Sequence, residues 1–343
     1  MSEIQCKRII FWIIGNQEVG LGHIYRALTL ALELRNHEVL FVTDTENHST
    51  VKATLKKNYW LGVVDNDRLT DFIIGLRPDM VICDILDTDE KDIKKIKSLG
   101  SPVVSFEDLG SGAMHTDLTV NEIYDTPQFE SNHILWGSKY FFLRDEFRSV
   151  RPQRFRHKVD SVMLTFGGTD QHDLARKVFF AIKTLCEELD VFVHIVTGPG
   201  YRGYKDLKRM LNACSGVSLT HDSEVISSIM EQVQLAITSN GRTVYELAHM
   251  NIPAIVIAQH QRELTHSYAS ESNGFVPLGI YQPNRTEQLV STALERLIND
   301  EPCRRGLFDR MTELEFNENK LKVVNKLQEL LGQDMSQDKM IHS

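Results

Sequence analysis

The sequence predicts an α/β protein of two parallel-sheet domains, each flanked by helices. Three observations carry this. Short apolar runs alternate with helical patterns through the first half, at residues 9–14, 39–42, 80–83, 103–106 and 118–120. Such runs are too short for helices, and their alternation with helical segments is the signature of βαβ units with both sheet faces covered. A second series at residues 162–166, 191–196, 217–219, 235–237 and 254–257 repeats the pattern. Finally, 343 residues exceed one typical domain, and two of about 150 residues each are the default.

Between the two series, residues 148–158 are polar, basic and broken by Pro152. They lack the apolar period of either neighbour and read as an interdomain linker. The expected division is 1–152, 153–332 and a polar, frayed tail at 333–343. Doubly wound sheets bind nucleotides beyond the carboxyl ends of their strands, so two such domains facing each other would form a cleft there.

A net charge of −9 with 42% hydrophobic and 25% charged residues describes an ordinary globular protein and disfavours nucleic acid or an anionic membrane as partner. The five cysteines, Cys6, Cys83, Cys186, Cys214 and Cys303, form no C-x-x-C pair and suit a reducing cytoplasm. The N-terminal apolar run follows an acid and lacks a small-residue cleavage site, so it reads as a first buried strand rather than a signal core. No stretch is long enough to span a bilayer.

The first strand leads into GLGHIYR at residues 20–26 and then a helical pattern through Leu34. A glycine turn at a helix start brings backbone amides together with His23 and Arg26, a combination suited to an anion and a proton transfer. Gly15, Gly20 and Gly22 have the wrong spacing for the dinucleotide fingerprint, and no Walker lysine follows. The positive helix end disfavours imidazolium and keeps His23 available as a neutral base; a capping or core histidine is the plainer reading. Asp84, at the end of the third run, either polarises His23, binds substrate, or is a buried strand-end acid with a structural bond.

In the second half, Gly167, Gly168, Thr169 and Asp170 follow the first strand. Paired glycines let amides approach a phosphate, and Thr169 adds a hydroxyl donor; alternatively this is a tight turn with Asp170 or Asp173 as helix cap. Ser239, Asn240, Gly241, Arg242, Thr243 and Glu246 follow a later strand. Ser239, Gly241 and Thr243 suit phosphate oxygens, and Glu246 can accept from both hydroxyls of a ribose. T-x-x-E is also a capping box, which needs no ligand. Gln261 lies past the carboxyl end of the next strand, where an amide can recognise sugar hydroxyls and acetamido groups.

With these motifs in order, the chain resembles the nucleotide-sugar hydrolases of pseudaminic acid biosynthesis, relatives of the glycosyltransferase-B enzymes. The residues that carry it are GLGHIYRALTLALEL, VICDILD, GSKYFFLRDEF, FGGTDQHD and SNGRTVYELAHMNIPAIVI with AQHQ. GSKYFFLRDEF, at 137–147, looks specific to the hydrolase branch. The resemblance implies two Rossmann-like domains facing across a cleft, a UDP-sugar bound there, and hydrolysis of the anomeric C–O bond to give UDP and free sugar. It assigns His23 as catalytic histidine, Arg26 as its nearby arginine, Gly167 and Gly168 to the diphosphate loop, Glu246 to the nucleotide and Gln261 to the sugar, while Gly20 and Gly22 are expected from the glycine turn itself to approach the substrate. Asn240 and Arg242 replace the family's usual small residues, and DILDTDE lacks the aromatic that commonly follows Asp84. Related sialic-acid-like sugars, including those of spore coats or archaeal surface glycans, therefore join the candidate substrates.

The expected reaction is inverting: His23 deprotonates a water, and helix-start amides with Arg26 or Arg242 stabilise the departing diphosphate. No cofactor is implied, and no acidic or His/Cys cluster has metal-ligand spacing. Expected partners are the UDP-sugar and enzymes of the same pathway, with neither nucleic acid nor membrane insertion. The rival readings are a glycosyltransferase using the same donor and a noncatalytic nucleotide-sugar binding module.

Overall fold

The computed structural model describes residues 5–16, 19–223 and 225–332. Gln17 and Glu18 of the first loop, and the tail expected to fray at 333–343, lie outside the described residues. The chain divides into two units, Met1–Arg144 with Asn317–Ser343, and Asp145–Phe316.

The first unit runs β1 Arg8–Ile13, α1 Gly22–Glu33, β2 Glu38–Asp44, α2 His48–Leu55, β3 Trp60–Val64, α3 Leu69–Gly75, β4 Met80–Asp84, α4 Glu90–Lys97, β5 Val103–Phe106, β6 Leu118–Asn121 and β7 Ile134–Trp136. Its seven strands are all parallel, in the order β3-β2-β1-β4-β5-β6-β7. The pleat of β1 explains why its sequence is continuously apolar. Ile9, Phe11 and Ile13 pack with residues of α1 and α2 on one face. Ile10 and Trp12 pack with residues of α3 and α4 on the other.

The second unit runs β8 Ser161–Thr165, α5 Leu174–Glu188, β9 Phe192–Thr197, α6 Tyr204–Leu211, β10 Val217–His221, α7 Ser227–Met230, β11 Leu235–Ser239, α8 Thr243–His249, β12 Ala254–Ala258, β13 Phe275–Ile280, α9 Arg285–Asn299 and α10 Glu301–Met311. Its six parallel strands follow β10-β9-β8-β11-β12-β13. Each sheet therefore reverses its winding once, between β1 and β4 and between β8 and β11. No helix among the described residues is long and apolar enough to cross a membrane.

The boundary expected near residue 152 is corrected to Arg144/Asp145, because the basic segment is bound to the second unit. Gln153 exchanges bonds there with the Met250 and Val233 carbonyls and the Asn251 side chain. Upstream, Phe147 is buried with its ring edge-on to His249, and Glu146 accepts the Ser227 amide. Phe141 and Phe142 are instead buried in the first unit, so GSKYFFLRDEF carries the chain's first passage between the units, the second falling at Phe316/Asn317.

The far end of the division also moves. The last helix, α11 Asn319–Leu330, belongs to the first unit, not to a domain at 153–332. Its Val323, Val324 and Leu327 join the core that covers β1 and α1. Asn319 donates to the carbonyls of Ser138 and Phe141, and Lys320 pairs with Glu33 of α1. Leu327→Ala should therefore destabilise the first unit by roughly 2–5 kcal/mol, the usual range for a buried leucine. Urea unfolding followed by the fluorescence of Trp12, Trp60 and Trp136, all in the first unit, checks this, and an unshifted midpoint would detach α11 from that core.

Candidate active site

In the first unit, the loop after β1 and the end of β4 lie at the point where the winding reverses, the usual ligand-binding edge of such sheets. The loop is tightly built. Asn16 and Gly20 form an antiparallel bridge, Gly20 has φ +79°, and a Cβ at Gly15 would stand 2.4 Å from Ile24 of α1. Asn47 anchors it, its Oδ1 accepting from the Gly15 amide and the Asn16 side chain. Gly22 begins α1, so His23 and Arg26 share one helix face a turn apart.

Both point at Asp84, the last residue of β4. His23 Nδ1 lies 2.5 Å from Asp84 Oδ1, and Arg26 grips the same carboxylate through Nε and Nη2 at 2.7 and 2.5 Å. Arg26 Nη1 continues to Glu107 and Glu122, which directly follow β5 and β6. The Arg26 side chain has 0% exposure, and it lies over the Phe106 ring. Burial opposes its charge, but Asp84, Glu107 and Glu122 reverse that and hold the guanidinium protonated. Burial likewise pushes the Asp84 carboxyl up, yet Arg26 and His23 hold it below the usual carboxylate range.

This geometry corrects the expected part of Arg26. Its donors are committed to three buried carboxylates, so it cannot reach a departing diphosphate; it positions Asp84, which positions His23. With Nδ1 committed to Asp84, Nε2 is the ring nitrogen left to accept a proton, the arrangement of a carboxylate-oriented general base. Glu107 and Glu122 were missed in the sequence, although Glu107 lies directly beyond an apolar run and Glu122 one residue further past another, as Asp84 is at the end of its own. Glu107 also has φ +52°, a strained conformation for a side-chain-bearing residue. Among the described residues no group of three His, Cys, Asp or Glu is arranged to hold a metal ion.

The second unit places its glycine loops at the equivalent reversal. Gly167 has φ +75°, and a Cβ there would lie 3.8 Å from Ser239 Oγ, so the loops after β8 and β11 adjoin. Gly168 packs so closely on Gly198 that a Cβ at Gly198 would meet its Cα at 2.4 Å. Thr169 and Ser239 are buried, while Gly241, Arg242 and Thr243 are half-buried. Glu246 is buried on α8. The cap position of α8 is Arg242, without a side-chain cap bond, so Thr243 and Glu246 do not form the capping box that was their alternative reading.

Two expected ligand residues are instead structural. Asp170 accepts the Leu174 and Ala175 amides at 2.7 and 2.8 Å, capping α5 and occupying the amides that a phosphate would have needed there. Asn240 donates to the Glu263 and His266 carbonyls at 2.7 and 2.9 Å, bracing its loop against the segment after β12. Gln261 is exposed at the start of the short 3₁₀ turn Gln261–Thr265. Gln259 and Glu263 lie on either side of it. Both are buried, and Gln259 donates to the Phe166 carbonyl just before Gly167.

The fold is that of the glycosyltransferase-B class, two Rossmann-like domains in one chain. It is shared with MurG of Acinetobacter baumannii, at a TM-score of 0.65 and 14% identity over 94% of this chain and 99% of that one. Staphylococcus aureus MnaA, solved with UDP, gives 0.62 and 12% over 95% and 97%. The glycosyltransferase VinC, solved with dTDP, gives 0.60 and 14% over 95% and 99%.

By sequence the chain is homologous to the spore coat polysaccharide biosynthesis protein SpsG of Bacillus subtilis, with 23% identity over 94% of this chain and 98% of that protein. An uncharacterized protein of Methanocaldococcus jannaschii is 30% identical over 275 residues, 74% of this chain. The chain spans only 56% of that relative's length. No family model matches.

Two predictions separate scaffold from ligand contact. Arg26→Met leaves three buried carboxylates without their cation and should cost roughly 3–5 kcal/mol of stability. A near-native thermal melt of that variant would return Arg26 to the substrate. The second concerns pH. Burial pushes the Asp170 carboxyl up to about 6, above its unfolded value near 4. Its stabilising contribution is therefore complete below about pH 4 and is lost as pH rises through about 6. Asp84, held low, contributes in the opposite sense and fails only in acid. Thermal melts from pH 4 to pH 8 should fall less steeply with rising pH in Asp170→Asn than in the wild type; parallel curves would contradict this.

Proposed function

We propose that the chain is a nucleotide-sugar enzyme of polysaccharide biosynthesis that hydrolyses a UDP-linked diacetamido-trideoxy sugar to UDP and free sugar. The observation that carries the reading is the His23–Asp84 pair, a buried imidazole oriented by a carboxylate at the ligand-binding edge of its sheet. The homology to SpsG, a spore coat polysaccharide biosynthesis protein, supports the pathway class. The fold shared with MnaA, solved with UDP, supports a UDP ligand.

On this reading the second unit holds the nucleotide. Glu246 accepts from the ribose hydroxyls, and Thr243, Ser239 and the Gly167, Gly168 and Gly241 amides meet the diphosphate. Gln261 serves the sugar. His23 Nε2 takes a proton from water as the water oxygen bonds to the anomeric carbon; the C–O bond to the diphosphate breaks, its electron pair leaves with UDP, and the configuration inverts. Asp84 stabilises the imidazolium, and Arg26 keeps Asp84 ionised and in place. Backbone amides with Arg242 meet the charge that gathers on the leaving diphosphate.

Transfer of the sugar to an acceptor is the second reading, favoured by the fold shared with the glycosyltransferase VinC. Incubation with a panel of UDP-linked diacetamido sugars, without acceptor, separates the two. Hydrolysis should release UDP and free sugar in equal amounts, and His23→Ala should lower that release by about 10²-fold or more while leaving folding intact. UDP release that appears only when an acceptor is added would establish transfer. Turnover unchanged in His23→Ala would remove the histidine from the mechanism.

A further inference from the structure

Glu263, in the 3₁₀ turn after β12, has no part in the mechanism above, yet its carboxylate is buried at 8% exposure against the loop that follows β11. Oε2 accepts the Gln259 amide at 2.6 Å, and a Cβ at Gly241 would stand 4.0 Å from Oε1. Among the described residues neither arginine nor lysine pairs with it. Its ion-pair neighbour is His260, with Nε2 3.8 Å from Oε1. Burial, reinforced by His266, Arg262 and His172, keeps that imidazole's pKa below its usual value, so His260 is a poor permanent cation. Arg242 and Glu246 are the charged groups on the α8 side of the same loop.

The surroundings are also rich in acceptors. Asn240 Oδ1 and Gln259 Oε1, in residues 9% and 8% exposed, have no hydrogen-bond partner. Their amide orientations are fixed, because Asn240 Nδ2 already bonds two carbonyls and Gln259 Nε2 a third. Both of these unpartnered amide atoms are acceptors. An ionised carboxylate adds one more acceptor and one more negative charge beside Gly241, whereas a protonated one supplies an O–H donor.

We propose that Glu263 engages the nucleotide-sugar as the neutral acid, donating its O–H to a phosphate oxygen at the Gly241 loop, so that binding takes up one proton from solvent. The inference rests on the nucleotide reading above. The balance is simple: carboxylate, one proton and ligand give the carboxylic acid hydrogen-bonded to the ligand. Burial pushes the Glu263 carboxyl up to about 7, against the opposing bonds from the Gln259 and Asn240 amides, so the proton is available near neutral pH.

Calorimetric titration of UDP-N-acetylglucosamine tests this, because its fully esterified diphosphate does not itself titrate between pH 6 and 8.5. Wild type should bind about tenfold more weakly for each pH unit above about 7. At pH 8 it should take up about one proton, read from the heats in buffers of different ionisation enthalpy. Glu263→Gln keeps a neutral donor in the same shape and should bind with little change across the range and no proton uptake. Tight wild-type binding that ignores pH overturns the inference alone. A pH dependence that persists in Glu263→Gln overturns it too and assigns the proton to His260 or His266. Failure of both proteins to bind the probe, or UDP itself, at any pH overturns the nucleotide reading together with the inference.

Discussion

The buried guanidinium of Arg26 is the constraint on which the first unit's chemistry depends. Three neighbouring strands, β4, β5 and β6, deliver Asp84, Glu107 and Glu122 to one edge of the sheet, and three carboxylates taken out of water there would repel one another and protonate. A single cation placed among them by α1 reverses this. Because the same helix turn carries His23, the helix cannot dock without presenting the imidazole to Asp84. The placement of His23 and helix packing are thus one event: the ion cluster locks the rotation of α1 about its axis, and that rotation sets where Nε2 stands. A buried ion cluster is seldom the most stable way to fill such a space, since well-packed apolar groups of the same volume often do as well or better. Its value here is the single orientation that it enforces.

Two buried acids of the second unit are compensated differently from Asp84. Asp170 and Glu263 meet backbone amides instead of an arginine. Amide dipoles compensate burial only in part, so both carboxyls lie above the usual range where Asp84 lies below it. One consequence is mechanical: Asp170 satisfies the start of α5, and Asn240 ties the loop after β11 to the segment after β12, so the glycine loops are held by side chains that need no ligand. Another is chemical. The Arg26–Asp84 pair keeps its charges fixed near neutral pH, whereas Asp170 and Glu263 are acids able to change theirs.

Much of the fold was legible because central parallel strands, buried on both faces, leave continuous apolar runs that no other element produces at that length. The strands that escaped notice are at sheet edges. β3 begins with the exposed Trp60 and contains Gly62; β13 contains Pro277 and Gly279, and its register with β12 shifts. An edge strand needs burial on fewer sides and tolerates residues that break a central one. The domain boundary was misplaced for a related reason. A polar, basic stretch was read as a tether, but Gln153 shows that polar residues can dock a segment through carbonyl bonds without leaving any apolar period. The return of α11 was illegible because an amphipathic helix does not record in its own sequence which core it will cover.

The candidate site was legible where a residue type is rare in its local setting, as with a histidine one residue into a helix after a glycine turn. Asp84 belonged to this class, whereas Arg26 was recognised and given the wrong task. A positive side chain near a glycine turn suggests an anion in solution, and only the fold reveals that the anions are the protein's own. These buried acids share one physical pattern: Glu107 and Glu122 lie just past the carboxyl ends of buried strands, and Glu263 lies in the turn after another. An acid at that position must find a helix, an amide, a cation or a ligand once the strand is buried. Several such acids at successive strand ends therefore signal a charge network that a nearby arginine must complete, and Arg26 is where this chain completes it.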